Sequence, residues 1–223
     1  MNKTACDRCG QCCLGGGPAL HGRDRKAIED GFISRGQMVA YLAGELLRDP
    51  ATGGVLPLVE EVIKLRTAPG TTTCIFYAPE GGSCAIYDRR PAECHAQKCW
   101  DPDKLLAMYE QDRLSRSDLV QADSALGELM AEHESRCGRK RMQQLAQRVE
   151  SDQEALGELL AMLRFDEAIR DLVAEKAGVS REHMEFYFGR PVALVLKTFG
   201  LKLKRVGGNY TIIRDDTGTK EPS

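Results

Sequence analysis

Four cysteines within eight positions, the run CDRCGQCC at residues 6–13, restrict this chain more than any other feature. Cys12 and Cys13 are adjacent and can hardly bridge each other, and a total of nine cysteines is odd, so a complete disulfide framework is a poor account of them. The opening residues, MNKTACDRCG, lack the basic start, apolar run and small-residue cleavage site of a secretory leader, and no stretch reaches membrane-spanning length. The expectation is a cytoplasmic chain with no membrane association. In that reducing setting clustered cysteines serve as metal ligands or redox groups more often than as bridges.

Eight cysteines lie between residues 6 and 99: Cys6, Cys9, Cys12, Cys13, Cys74, Cys84, Cys94 and Cys99. Only Cys137 lies beyond them. Eight thiolates make two tetrahedral sets of four. In a C-x2-C step the short turn points both sulfurs into one space, and its free backbone N–H groups can donate to thiolates. Gly10 and Gly15 to Gly17 suit such turns. Neighbouring side chains tend to diverge, so Cys12 and Cys13 either serve different centres or leave one sulfur spare. Zinc and an iron-sulfur cluster both accept four thiolates, and either complex carries about two negative charges. Of these two cofactors the iron-sulfur cluster is preferred here, with zinc as the alternative. Arg89, Arg90 and Lys98 sit among the later cysteines and are candidates for charge compensation or plain surface residues. His95, beside Cys94, is a candidate substitute ligand, although such a histidine more often hydrogen-bonds to a ligating group or lies exposed.

The rest of the chain has the makings of a true core, with 42% hydrophobic residues over 223 positions. Its formal charge of -2 gives no bulk electrostatic reason to expect nucleic acid or an acidic membrane. The basic run GRKRMQQ (138–144) reads as a solvated helix face. Between the cysteine clusters, Ser34 and Gln37 form a capping box and Met38, Leu42 and Leu46 recur at helical spacing before DPATGG (49–54). Leu58, Val62 and Leu65, flanked by Val59 and Ile63, predict a second short helix ended by APGTTT (68–73). The spacer is therefore expected to be a helical insert.

From Asp101, taken as N-cap with Pro102 at the first helical position, the pattern stays helical through Leu105, Leu106 and Tyr109. It continues through Leu126, Leu129, Met130, Leu145, Val149, Leu156, Leu159, Leu160 and Leu163. ALGELMA (125–131) and ALGELLA (155–161) echo each other, as two amphipathic helices do by chance. Pro191 opens a last helix and Gly200 closes it. LKLKRVGGNYTII (201–213) alternates apolar and polar residues about a Gly-Gly turn, predicting a β-hairpin. The expected fold is mainly α: residues 1–100 form a small irregular cysteine-rich metal-binding domain with a helical insert, and residues 101–223 a helical region ending in a β-hairpin.

CDRCGQCC followed by CAIYDRRPAEC resembles the signature of the CxxCxxCC family, the YkgJ-like cysteine cluster proteins. The likeness covers residues 6–100 and includes GGPALH and CIFY. It implies a zinc- or iron-chelating domain whose ligands are the eight cysteines named above. Some members of that family resemble flagellin lysine N-methylases. No glycine-rich nucleotide loop after a predicted strand is visible here to hold a methyl donor.

Two function classes follow. One is a metal or iron-sulfur protein without catalysis of its own, acting in electron transfer, redox sensing or metal handling, with the helical half as a docking surface for a protein partner or a dimerisation module. The other is a cluster-dependent enzyme such as a protein lysine N-methylase, which would keep a coordination position open for substrate. No general base, phosphate loop or nucleophile stands out. His133 and His183 are scattered, and His21 fits a structural hydrogen bond better than catalysis. Ala174 and Gly178 in LVAEKAGVSREHMEFYFG (172–189) have helix-turn-helix spacing, but Glu182 and Glu185 would repel phosphates, so nucleic acid is disfavoured. A helical hairpin packed on the closing strands is preferred there, with Phe186, Tyr187 and Phe188 in the core or on a partner surface. Cys137 has basic neighbours that would make it a redox candidate, against the commoner reading of a packed thiol.

Overall fold

The structure, a computed structural model, describes residues 5–49, 52–206 and 209–215. The chain begins with the single-turn helix α1 (Gln11–Leu14) and the short α2 (Arg25–Glu29), and then enters β1 (Met38–Tyr41) and β2 (Leu46–Arg48). Next come β3 (Val55–Pro57), β4 (Val62–Leu65), β5 (Tyr77–Ala78) and β6 (Ser83–Cys84). The helices α3 (Ala92–Ala96), α4 (Asp103–Met108), α5 (Ala125–Arg136), α6 (Arg139–Ala146) and α7 (Gln153–Lys176) follow. The last elements are α8 (Met184–Tyr187), α9 (Val192–Thr198), β7 (Leu201–Val206) and β8 (Asn209–Arg214). Strands pair antiparallel as β1 with β4, β2 with β3, β5 with β6 and β7 with β8. No helix among the described residues is long and apolar enough to cross a membrane.

The spacer between the cysteine clusters is not a helical insert. Its Ser34–Gln37 capping box is present, but it closes only a 3-10 turn that feeds directly into β1. β1 pairs with β4 in the register Met38↔Leu65, Val39↔Lys64, Ala40↔Ile63, Tyr41↔Val62. A short apolar run buried on both faces carries no period that separates strand from helix. What decides is the β-branched and aromatic content, Val39 and Tyr41 on one strand and Val62 and Ile63 on the other, which suits a pleated, half-buried surface. Gly44, at φ 89°, also breaks the helical continuity between Leu42 and Leu46. Val59, placed on the second expected helix, is exposed.

The C-terminal pattern is closer to expectation. Pro102 caps α4 one residue later than anticipated, Pro191 caps α9, and Gly200 lies just past its end at φ 71°. The β7–β8 hairpin forms with Leu201 opposite Arg214 and Val206 opposite Asn209, while its Gly-Gly turn lies outside the described residues. The helix-turn-helix segment holds no recognition helix, because α8 is only four residues long and buries Phe186, Tyr187 and Phe188. It packs against β1.

Two apolar clusters hold the chain together. The first joins Leu20, Ile33, Met38, Ile63, Leu65 and Leu114 to Met130, Ile169, Val173, Phe186 and Phe188. The second gathers Met142, Leu145, Leu159, Leu163, Val195, Leu196, Leu201 and Ile212 around Cys137. Helix α7 contributes to both.

Buried arginines tie the two halves of the chain. Arg116 donates to Glu61 through Nε (2.8 Å), to Glu134 through Nη2 (2.8 Å) and to the Tyr187 carbonyl through Nη1 (2.6 Å). Arg139 lies in the basic run expected to be solvated, yet its side chain is fully buried and donates from Nε to Glu45 at 3.1 Å. Glu45 is itself buried, and also accepts from Arg190 Nε at 2.7 Å and from the Leu42 amide at 3.2 Å. Asp166 accepts from His133 Nε2 (2.7 Å), Arg170 Nε (2.9 Å) and the Val192 amide (3.0 Å), which joins α5, α7 and α9.

Candidate metal centre

The first cysteine loop is built by two left-handed residues. Arg8 (φ 55°) and Gly10 (φ 74°) turn the backbone so that the Arg8 amide lies 3.4 Å from Cys6 Sγ, the N–H to sulfur contact expected of a C-x2-C turn. Gly10 is also a contact point. A Cβ there would lie 2.5 Å from the Tyr77 ring and 2.7 Å from the Gly82 carbonyl, so only glycine lets this loop seat on the β5–β6 hairpin. The Arg8 guanidinium stacks 4.0 Å from the Tyr87 ring centroid, and Arg90 stacks on the same ring at 3.9 Å.

Helix α1 then carries Cys12 and Cys13, with the Cys13 and Leu14 amides donating to the Gly10 carbonyl. The Cys74 amide donates to the Cys13 carbonyl at 2.7 Å, which fixes the second cluster against the first. In β5–β6 the register sets Cys84 opposite Tyr77. Cys94 sits on α3, whose start is held by the Ala92 amide donating to Asp24 Oδ1 at 2.9 Å and by Glu93 accepting from the Ala19 amide.

These elements bring the eight cysteines into one region. A cleft of about 70 Å³ is lined by Cys6, Cys9, Cys12, Cys13, Cys84 and Cys99, with Arg8, Tyr87 and Trp100 at its walls. Cys74 and Cys94 adjoin it from inside, since each feels the charges of Cys12 and Cys84, and Cys94 also feels that of Cys74. Exposure divides the set. Cys6, Cys9, Cys12 and Cys99 are exposed, whereas Cys13, Cys74, Cys84 and Cys94 are partly or fully buried. The adjacent pair differs in exposure, yet the Cys12 and Cys13 thiols interact directly through a side-chain hydrogen bond. Cys13 packs against the first apolar cluster, and Cys12, though exposed, lies near enough to act on Cys13, Cys74 and Cys94.

Burial pushes the Cys13 thiol up to about 12, with further upward pressure from Cys12, Cys84 and Cys74. Burial also raises Cys74, partly offset by a hydrogen bond from the Phe76 amide. Cys94 is raised more strongly still, by burial and then by the charges of Cys74 and Cys12. Packed thiols that resist ionisation together are what a divalent or trivalent cation relieves, so the donor set fits a thiophilic metal. Among the described residues, no three His, Cys, Asp or Glu side chains already form a closed chelating group.

The neighbouring residues singled out from sequence are placed as follows. Arg89 stacks over Phe32 at 3.6 Å and Lys98 lies 3.8 Å from Asp101, so both already engage other partners. His95 is exposed. Arg8, Tyr87 and Trp100 were not anticipated, although Arg8 lies inside the C-x2-C step and Trp100 follows Cys99 directly. Cys137 belongs to the second apolar cluster, fully buried, with its thiol 3.6 Å from the Met162 carbonyl. Burial raises it to about 12 despite Arg139, Arg170 and Arg136 nearby, so the basic neighbours do not make it a reactive thiol.

Short loops and hairpins gather six thiols around one cleft, and Cys74 and Cys94 adjoin it. The chain belongs to the CxxCxxCC family, described as a proposed zinc- or iron-chelating domain, whose model matches residues 5–119. No curated protein and no solved structure matches it. Family membership supports metal binding in general, with zinc or iron as the metal.

Proposed function

We propose that this chain is an iron-sulfur protein acting in electron transfer, redox sensing or metal handling, with its cluster or clusters held by the eight cysteines. The observation that carries this reading is the division of the thiols by exposure. A site meant only to brace a fold fills all of its coordination positions with protein ligands and has no need of access from outside. Here half of the thiols face water beside a shallow cleft, where electrons or metal can be exchanged. The inner set, Cys13, Cys74, Cys84 and Cys94, and the outer set, Cys6, Cys9, Cys12 and Cys99, supply four sulfurs each. Bound there, iron and sulfide would supply one-electron chemistry at a potential tuned by burial and by hydrogen bonds to sulfur. The protein's own part is to orient the thiolates, to offer amides such as that of Arg8, and to flank the cleft with the Arg8 and Arg90 cations on Tyr87.

A zinc thiolate centre with a structural or interaction role is the second reading, favoured by the family description, which includes zinc. The cluster-dependent methylase reading has less support at this cleft. About 70 Å³ accommodates an ion or small cluster, whereas sites for drug-sized ligands span about 300–1,000 Å³. The deciding experiment is anaerobic purification followed by iron, acid-labile sulfide and zinc per chain beside an absorption spectrum. Iron with equal sulfide and visible charge-transfer bands is expected. Stoichiometric zinc with neither iron nor sulfide, after growth with ample iron, would overturn the iron-sulfur assignment.

A further inference from the structure

A polar face lies directly behind the thiol helix α3. Residues 18–22 run antiparallel between β4 and residues 112–114, with the Leu20 amide donating to the Ile63 carbonyl and the Leu114 amide to the Leu20 carbonyl, both at 2.9 Å. The bridge partners are Ala19↔Lys64 and His21↔Arg113. Opposed residues in an antiparallel pair share a face, and so do residues two apart on one strand. One face of this layer therefore carries Leu20, Ile63 and Leu114 into the first core, and the other carries Lys64, Ala19, His21 and Arg113.

The polar face is short of acceptors. The Arg113 Nε and Nη2 atoms and the His21 Nε2 atom are all buried without a hydrogen-bond partner. Nε and Nη2 are the two adjacent donors with which a guanidinium grips an oxyanion in bidentate fashion. Among the described residues neither Lys64 nor Arg113 forms an ion pair with a carboxylate, and the Arg113 guanidinium stacks over the Tyr109 ring at 4.2 Å. Glu93 is the nearby acid that acts on Lys64, and it already accepts from the Ala19 amide. His21 is only 2% exposed, and its tautomer is fixed: Nδ1 lies 2.8 Å from the Gln111 carbonyl, which can only accept, so Nδ1 carries the proton. With its proton on Nδ1, His21 leaves Nε2 without a partner on the same face as a guanidinium fork that needs two acceptor oxygens.

We propose that Arg113, Lys64 and His21 form a binding site for a small oxyanion that also carries an O–H, such as a hydroxycarboxylate or hydrogen phosphate. Two oxygens of the anion take the Arg113 fork, Lys64 supplies the second positive charge, and the ligand's hydroxyl donates to His21 Nε2. The site is separate from the thiol cleft but adjoins it through α3, which carries Glu93 at this face and Cys94 among the thiols.

The test is isothermal titration of the full-length protein, as isolated with its metal, with glycolate, acetate and inorganic phosphate in separate arms. Glycolate or phosphate should bind once per chain, and the two arms tell the carboxylate source from the phosphate source. Acetate, which leaves His21 Nε2 unpaired, should bind about tenfold more weakly than glycolate. Arg113→Lys keeps the charge but loses the fork and should weaken binding at least about tenfold. Lys64→Met should do the same, and serves as the second variant if Arg113→Lys does not fold by circular dichroism. Absence of saturable binding of both glycolate and phosphate at millimolar concentration overturns the proposal, as does unchanged affinity in a folded variant. Metal content, measured on the same samples, reports on the cysteine site independently of either outcome.

Discussion

The buried Glu45–Arg139 pair gives the sharpest test of how the two halves of the chain are joined. Both side chains are wholly inaccessible to solvent, and Glu45 also holds Arg190 and the Leu42 amide. Glu45→Ala would leave Arg139 as an uncompensated buried cation, anchored only by the Cys137 and Arg190 carbonyls. Breaking a buried pair from one side costs about 3–5 kcal/mol, a large share of the roughly 5–15 kcal/mol that holds a typical domain. At about 2–4 °C per kcal/mol for a chain of this size, the melting temperature should fall by roughly 6–20 °C. Replacing both partners removes the stranded charge, so Glu45→Met with Arg139→Met should recover most of the loss. Urea and thermal unfolding followed by circular dichroism on the metal-loaded protein would measure Glu45→Ala, the double variant and its two single variants. A loss below about 0.5 kcal/mol for Glu45→Ala, typical of surface substitutions, would refute a buried pair. A double variant as unstable as the sum of its singles would show that the two residues do not interact.

In the proposed two-centre arrangement, Cys12→Ser and Cys13→Ser should each lower metal content by about half, in different centres; full metal retention in both, measured after identical anaerobic preparations, would defeat it. Cys137 should resist alkylation in the native protein and react only in denaturant, and labelling as fast as that of an exposed thiol, read by mass spectrometry, would contradict its place in the second core. Stability should decline with acid in two stages. Burial holds His133 below its ordinary 6.5, so as pH falls through 6.5 the unfolded chain takes up a proton that the folded imidazole resists. Burial would raise Asp166, but the His133 hydrogen bond and Arg170 outweigh it and hold the carboxyl at about 2, so its contribution is complete above 3.8 and lost between 3.8 and about 2. Urea midpoints against pH should therefore flatten just below pH 6.5 in His133→Gln, and an unchanged slope there would rule out His133 as the source.

Much of the candidate site was legible in the residues themselves. The C-x2-C spacing and the glycines around it led to a turn with an amide aimed at sulfur, and the Arg8–Cys6 contact is that turn. The adjacency of Cys12 and Cys13 pointed to diverging sulfurs, whereas on α1 the two differ in exposure but their thiols still hydrogen-bond to each other. The long helical periodicities after residue 120 and the alternation in residues 201–213 also became helices and a hairpin, because amphipathic elements of several turns or many alternations record their own burial.

Short segments and charges did not record theirs. β1 and β4 were misread as helices because a four-residue run buried on both faces has no period, and only its partner strand satisfies the backbone and fixes it as a strand. The run holding Arg139 looked like a solvated face because its counter-charge, Glu45, lies 94 residues away. Cys137 looked activated because sequence shows its basic neighbours and not the apolar cluster that removes water from around it. The sequence alone thus determined which donor atoms the protein has and their local turns, since those depend on neighbours in the chain. Tertiary structure decided which thiols face water, which charges are buried in pairs and which donors behind α3 lack an acceptor, because desolvation depends on everything packed around a group, most of it distant along the chain.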